Sequence, residues 1–334
     1  MSYDYDLLVI GGGSAGLTAA LIGGEIGLST ALIERNPSDL GGECLRSGCV
    51  PSKSLIHVAN KVFSLKTTGF GYTAEGETNW NEIKQYIQSK QDTIAQHESK
   101  EVLQEAGVDT YFGNATITGP HTVSLDSVFT SKRILIATGS SPRTLPIQSD
   151  VPMYTNESIF AIDDIPTDLL VIGGGPIGVE LGQAFSRLGS HVTIVERGPH
   201  ILSREHPDMS EIVTNSFRDE GIDIVTDTQI DRITNGVAYS KQSNLEIPVT
   251  ACLVGVGRTP NTADLGLESI GVNQTQKGIS VNQYLQTSVP SIFAAGDVIG
   301  KYQLSHAAEV ESSTFIRNCI VPFRKSIPYE DVGW

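Results

Sequence analysis

One unit of sequence occurs twice in this chain, and it restricts the fold more than any other feature. Leu7-Leu8-Val9-Ile10 is a short apolar run that reads as a strand buried on both faces. It leads into Gly11-Gly12-Gly13-Ser14-Ala15-Gly16, an apolar helical stretch to about Gly27, and a second run, Thr30-Ala31-Leu32-Ile33, that ends in Glu34. Strand, Gly-x-Gly-x-x-Gly turn, helix, strand and terminal acid are the parts of a βαβ dinucleotide-binding unit. Gly11 suits the tight turn, Gly13 the approach of a pyrophosphate to the backbone, and Gly16 the close packing of helix on strand. The helix N-terminus suits the pyrophosphate, and Glu34 can hold a ribose hydroxyl. The unit returns as Leu169-Leu170-Val171-Ile172, then Gly173-Gly174-Gly175-Pro176-Ile177-Gly178, a helix to about Gly189, and Val192-Thr193-Ile194-Val195 ending in Glu196. In both copies the acid follows the first glycine by 23 positions. Such a repeat predicts two bound dinucleotides in two Rossmann-like α/β domains.

The second copy also bears on which nicotinamide nucleotide enters. A carboxylate at Glu196 accepts the hydroxyls of an NAD ribose and repels the extra phosphate of NADP. Arg197, next to it, pulls the other way, and the balance favours NADH.

Between the copies stands Gly41-Gly42-Glu43-Cys44-Leu45-Arg46-Ser47-Gly48-Cys49-Val50-Pro51-Ser52-Lys53. The glycines allow tight turns and the close approach of a flat ring. Pro51 suits the first turn of a helix. The positive end of a helix dipole stabilises a thiolate there, and Lys53, four residues after Cys49, shares its helix face. Spacing alone leaves three readings of Cys44 and Cys49: a redox pair, half of a metal site, or buried structural cysteines. Cys252 and Cys319 stand alone.

The remaining segments read as scaffold. Trp80 to Ala106 follows a loose helical period, with Gly107 as a C-cap and a solvated polar face. Short strands are expected around 109–118 and 122–125. Arg133-Ile134-Leu135-Ile136-Ala137-Thr138-Gly139 reads as a buried strand ending in glycine, with Leu253 to Asn261 as its counterpart in the repeat. Pro142–Pro152 and Gly257–Thr262 read as crossovers between domains. Ile292-Phe293-Ala294-Ala295-Gly296-Asp297-Val298 is a strand ending in Gly-Asp, followed by a helix from about Gln303 to Asn318. Asp297 is placed either to bond sugar hydroxyls or to serve as an ordinary N-cap.

Composition narrows the class. A length of 334 residues favours two domains, and 39% hydrophobic residues with 34 glycines fits a loop-rich globular α/β protein. The net charge of −15 argues against nucleic acid as a partner. The polar, acidic start reads as no signal peptide, and no apolar run is long enough to span a bilayer, so no membrane partner is expected. Four cysteines suit a reducing cytoplasm.

These residues together resemble the flavin-dependent pyridine nucleotide–disulfide oxidoreductases, in the branch of dihydrolipoamide dehydrogenase, mercuric reductase and glutathione reductase. The resemblance spans essentially the whole chain, and its most specific motif is Gly41 to Lys53. It implies the three-layer ββα FAD/NAD(P)-binding fold, with the FAD domain interrupted by the NAD domain: FAD domain at 1–148 and 261–334, NAD(H) domain at 149–260. It implies that FAD is held by Gly11, Gly13, Ser14, Ala15, Gly16, Glu34 and Arg35, by Gly42, Glu43, Cys44, Cys49 and Lys53, by Ala137, Thr138 and Gly139, and by Gly296 and Asp297. It assigns the nicotinamide nucleotide to Gly173, Gly175, Pro176, Ile177, Gly178, Glu196, Arg197, Gly257 and Arg258. Lys53 would lie near flavin N5 and pair with Glu180.

The implied chemistry runs from NADH to the flavin and on to a Cys44–Cys49 disulfide, with Cys49 nearer the flavin and Cys44 as the interchange thiol. The acceptor would be a small-molecule or protein disulfide, or a metal ion; no resident metal is expected.

Two departures stand out. The chain stops at Trp334, where the family continues into an interface domain that builds the dimer and supplies a base or a second cysteine pair. That domain, and dimerisation through it, are expected to be missing. His306 is a poor substitute base, and Pro176 replaces the aromatic that gates the nicotinamide in many relatives. The reading is therefore an NADH-dependent enzyme or its two cofactor domains. The alternative is a flavin- and NAD-binding module without disulfide turnover, either diaphorase-like or a redox-responsive partner.

Overall fold

The computed structural model describes residues 2–67, 76–240 and 245–332. The chain forms two compact units, Met1–Arg46 with Asp92–Ser141 and Thr259–Trp334, and Ser47–Gln91 with Pro142–Arg258. Each has its own sheet and its own apolar core.

The first unit is built on Tyr5–Ile10, whose Leu7, Leu8, Val9 and Ile10 are all buried. Both faces of a central parallel strand are covered, so an unbroken apolar run is what the position demands. Tyr5–Ile10 pairs in parallel with Thr30–Glu34 on one side and Val128–Ile136 on the other, Ile10 lying opposite Ile33 and Ile136. Val108–Phe112 adds beyond Thr30–Glu34, and Ile292–Ala294 beside Val128–Ile136, both parallel. Thr122–Ser124 and Thr116–Gly119 complete seven strands as an antiparallel meander. Helices Ser14–Glu25 and Ser305–Ile320 pack on each other and on the sheet; Phe315 lies 4.9 Å from Phe293 between ring centroids.

The second unit repeats the plan. Asp223–Val225, His191–Val195, Asp168–Ile172, Ala251–Val254 and Met153–Tyr154 form one parallel sheet in that order. Helix Pro176–Leu188 packs on it, and Arg232–Thr234, Val237–Tyr239 and Glu246–Pro248 form a small antiparallel sheet. The α/β class with a duplicated Rossmann-like sheet is therefore as the repeat requires.

Several boundaries differ from expectation, each for a tertiary reason. The segment Ser47–Gln91, placed with the first domain by sequence, groups with the second unit. Helix Cys49–Lys66 sends Leu55 and Ala59 into a core with Ile83, Ile87 and Phe185. The Trp80 ring lies tilted against Phe185, 5.7 Å between centroids, and donates its indole N–H to the Ile162 carbonyl at 2.7 Å. The helical stretch 80–106 is two helices, Trp80–Ala95 and Lys100–Glu105, because the Ser99 hydroxyl accepts from Val102 N–H and starts a new one. The strand expected from Arg133 begins at Val128, where the meander gives it a partner. The strand expected from Leu253 to Asn261 runs from Ala251 to Val254, and the chain turns at Gly257. The last helix is Ser305–Ile320.

Candidate functional site

The first Gly-rich turn follows directly from the strand before it. Gly11 takes φ +106°, and its counterpart Gly173 takes +110°. A Cβ at either would also run into a carbonyl, that of Ala137 or of Gly255. Gly16 and Gly178 have ordinary helical φ, but a Cβ there would overlap the carbonyl oxygen of Gly11 or Gly173. Gly13 and Gly175 are the N-caps of helices Ser14–Glu25 and Pro176–Leu188. No side chain caps either helix, and no acid sits in either first turn, so the first N–H groups and the positive dipole end have no side-chain acceptor.

The two terminal acids behave alike. Glu34 accepts from Gly12 N–H and Arg35 N–H, both at 2.5 Å, and Glu196 accepts from Gly174 N–H and Gly198 N–H, both at 2.8 Å. Each carboxylate thus ties the end of its strand to its glycine turn. Arg197 is exposed.

The cysteine motif begins on this frame. Gly41 N–H donates to the Gly12 carbonyl at 3.0 Å. Gly42 lies at φ +60°, and a Cβ on it would stand 2.5 Å from the Gly13 Cα. Helix Gly42–Arg46 then carries Glu43 and the half-buried Cys44, and Arg46 donates twice to the Leu40 carbonyl, at 3.1 and 2.9 Å. Glu98 brings a buried Oε2 beside Gly41 with no hydrogen-bond partner, and burial raises the pKa of this carboxyl. A bare helix N-terminus, close glycine backbones that leave no room for a Cβ at Gly11, Gly16 or Gly42, and an orphan acceptor fit a phosphate- and hydroxyl-bearing dinucleotide.

The first unit gathers two more of the expected segments around the same sheet end. Ala137 N–H bonds the Ile10 carbonyl at 2.8 Å. Asn261 stitches Thr138 and Gly139 in place: it donates to both carbonyls at 3.0 Å and accepts the Thr138 hydroxyl on its own carbonyl at 2.7 Å. The Asp297 carboxylate accepts from the Ser140 hydroxyl at 2.6 Å, and Gly296 N–H donates to Glu311 at 2.6 Å. Ala15 Cβ is 3.1 Å from where a Gly296 Cβ would be.

In the second unit, Cys49 is exposed at the first position of helix Cys49–Lys66, behind the N-cap Gly48. Lys53 lies one turn on and bonds Glu180 at 2.5 Å, as the resemblance implied. Both side chains are well exposed, 58% and 40%, so the pair serves placement more than stability. Pro176 occupies the first turn of its helix, with Ile177 beside it. Gly257 accepts from Arg143 N–H at 2.9 Å, and the Arg258 guanidinium reaches Asn156 at 3.4 Å. Burial pushes the Cys252 thiol up to about 12 and Cys319 to about 11, which marks both as inert.

Sequence reading missed Glu311, Glu98, Asn261 and Ser140. None stands in a motif; only Asn261, in the Arg-Thr-Pro-Asn run, carried any local signal. Among the described residues no helix is long and apolar enough to cross a membrane.

Comparison with known proteins agrees with this geometry. The family model described as pyridine nucleotide-disulphide oxidoreductase matches residues 5–312. A mercuric reductase of Staphylococcus aureus is 33% identical over 95% of this chain, which spans 60% of that protein's length. A dihydrolipoyl dehydrogenase of Acholeplasma laidlawii is 32% identical over 96% of this chain and 97% of its own. The Cu(II) complex of the HOCl-induced flavoprotein disulfide reductase RclA from Escherichia coli superposes with a TM-score of 0.84 at 25% identity, over 97% of this chain and 73% of that one.

Proposed function

This chain belongs to the pyridine nucleotide-disulphide oxidoreductase family and is an FAD-dependent oxidoreductase of it; we propose that it uses NADH to reduce the Cys44–Cys49 disulfide and, through the freed Cys44, a disulfide or metal-ion acceptor. The observation that carries the reading is the seating of the cysteine loop on the phosphate-type turn, Gly41 on the Gly12 carbonyl and Gly42 against Gly13. Any dinucleotide held by that turn is held beside the loop that leads to Cys44.

When bound, FAD supplies two-electron chemistry that accepts a hydride from a reduced nicotinamide and yields the electron pair to a disulfide. The chain's own residues do the rest. Residues Gly11, Gly13 and Gly16, with the N–H groups of helix Ser14–Glu25, hold the flavin nucleotide's pyrophosphate, and Glu34 and Asp297 take its hydroxyls. Gly173, Gly175 and Gly178 do the same for the nicotinamide nucleotide, and Glu196 prefers the NAD ribose to the NADP phosphate. Breaking the Cys44–Cys49 bond takes two electrons and leaves two sulfurs that share at least one proton. Cys49 stays as the thiolate at the start of its helix, on the face that carries Lys53, whose ammonium Glu180 holds at 2.5 Å. Cys44 attacks the acceptor. In sum, NADH, a proton and one disulfide give NAD⁺ and two thiols. So low a cysteine content suits the cytoplasm.

The test is anaerobic NADH titration of the FAD-loaded chain, followed by lipoamide, glutathione disulfide, Hg²⁺ or Cu²⁺. Consumption of NADH in step with one of these, abolished by Cys44→Ser, supports the reading. NADH oxidation that only dyes or oxygen sustain would place the chain in the diaphorase-like class instead.

A further inference from the structure

The least expected side chain in the first unit is Glu311. It is fully buried on helix Ser305–Ile320, where its neighbours Ala307, Ala308, Ser312 and Phe315 are buried too. One carboxylate oxygen accepts from Gly296 N–H at 2.6 Å, the other from the Tyr329 hydroxyl at 2.7 Å. The Tyr329 ring is itself held, 3.4 Å under the Lys301 ammonium and 5.2 Å from the Tyr302 ring. Gly296 opens the turn Gly296–Ile299 that carries Asp297. A buried carboxylate costs folding free energy unless it is fully bonded, so a residue of this kind inside an apolar helix face calls for a use.

We propose that Glu311 and Tyr329 form a proton-holding clamp under the Gly296–Asp297 turn, and that Glu311 takes up a proton when FAD binds. The proposal rests on the reading of Asp297 as a flavin ligand. Its physics is local. Glu311 already titrates near neutrality, its pKa raised to about 7 by burial, with the Asp297 charge pushing the same way. The Gly296 N–H, the Tyr329 hydroxyl and the Lys301 charge oppose that shift. Asp297, Lys301 and Tyr329 are the titratable groups that face Glu311, and Tyr302 faces Tyr329. A bound dinucleotide brings anionic phosphates into the unit and displaces water from the Asp297 turn, and both effects disfavour a second negative charge there. Protonation leaves the clamp intact: one oxygen still accepts from Gly296 N–H, and the new O–H donates to the Tyr329 oxygen. Binding therefore weakens as pH rises through neutrality. A shift of one unit in the Glu311 pKa on binding makes the FAD dissociation constant about fivefold larger at pH 8 than at pH 6.

The experiment is calorimetric titration of the full chain with FAD at pH 6 to 8.5, in two buffers of different ionisation enthalpy, which counts protons taken up. Wild type should take up a fraction of one proton around pH 7.5. Glu311→Gln keeps both hydrogen bonds and should take up none, with affinity near the wild-type value at pH 6. Tyr329→Phe removes a bond that favours the carboxylate, so its uptake should move to higher pH. Equal uptake in wild type and Glu311→Gln, or none in a wild type that binds FAD, would overturn the clamp. If wild type binds no FAD, the flavin reading fails, and the pH dependence of apo-chain unfolding judges the clamp alone. A slope between pH 5 and 7 in wild type that Glu311→Gln lacks sustains it, and matching slopes refute it.

Discussion

The same substitution made at two helical glycines should move stability in opposite directions. Gly16 is the third residue of helix Ser14–Glu25, and Gly182 lies inside helix Pro176–Leu188. In each, Gly→Ala gains up to about 1 kcal/mol of helix propensity. At Gly182 the new methyl finds Ile194 at 3.4 and 3.6 Å and Val171 at 3.6 Å, ordinary contacts that fill space. Gly182→Ala should therefore be neutral or stabilise the second unit by up to about 1 kcal/mol. At Gly16 the methyl falls on the Gly11 carbonyl oxygen and 3.3 Å from Val9 Cγ1. The helix must move off the strand to admit it, and overpacking of this sort costs roughly 1–3 kcal/mol, more than the propensity gained. The move also widens the turn on which Gly41 and Gly42 sit, so FAD affinity should fall by at least about tenfold, or 1.4 kcal/mol. Urea unfolding followed by circular dichroism gives the first quantity, and FAD fluorescence gives the second. The reasoning is refuted if Gly16→Ala binds FAD as wild type does, or if Gly182→Ala destabilises by more than about 1 kcal/mol.

Three further outcomes follow from the same geometry. Glu180→Gln breaks an exposed ion pair, so it should alter stability by less than about 1 kcal/mol while slowing NADH-dependent thiol release in stopped-flow labelling by roughly tenfold; an unchanged rate removes Lys53 from the mechanism. Glu196→Ala should narrow the ratio of kcat/KM for NADH over NADPH by roughly tenfold, and a ratio that does not move would contradict the role given to that carboxylate. The Glu311 carboxyl holds its proton more tightly folded than unfolded, so its contribution to stability is full below its ordinary value of 4.5 and is lost as pH rises toward about 7, by at most on the order of 3 kcal/mol. Denaturant midpoints of wild type relative to Glu311→Gln should fall over that window; a relative rise would reverse the sign of the argument.

The sequence was most readable where structure depends on near neighbours. A Gly-x-Gly-x-x-Gly turn is needed because Gly11 takes a positive φ and a Cβ at Gly16 would meet the Gly11 carbonyl within the same βαβ unit, and that demand leaves a local mark. The pairing of Lys53 with Glu180 links residues far apart in sequence, and only the resemblance suggested it. Glu311 was invisible because a glutamate in His306-Ala307-Ala308-Glu309-Val310-Glu311 reads as a solvated helix residue; its burial is set by Gly296 and Tyr329. The grouping of Ser47–Gln91 with the second unit was hidden for the same reason, since Leu55 and Ala59 acquire their partner Phe185 only when the fold closes. Val128 gave no strand signal because its place is fixed by Ser124 across the meander.

The central claim is that electrons from NADH end on Cys44 and Cys49. Anaerobic alkylation before and after one equivalent of NADH per FAD, read by peptide mass spectrometry, tests it most directly. Buried Cys252 and half-buried Cys319, with thiols pushed up to about 12 and 11, should stay unlabelled at pH 7.5 in both samples. The account predicts that Cys44 and Cys49 resist labelling in the oxidised chain and that Cys44 becomes reactive after NADH. Oxidation of NADH with no new label at either cysteine would contradict it.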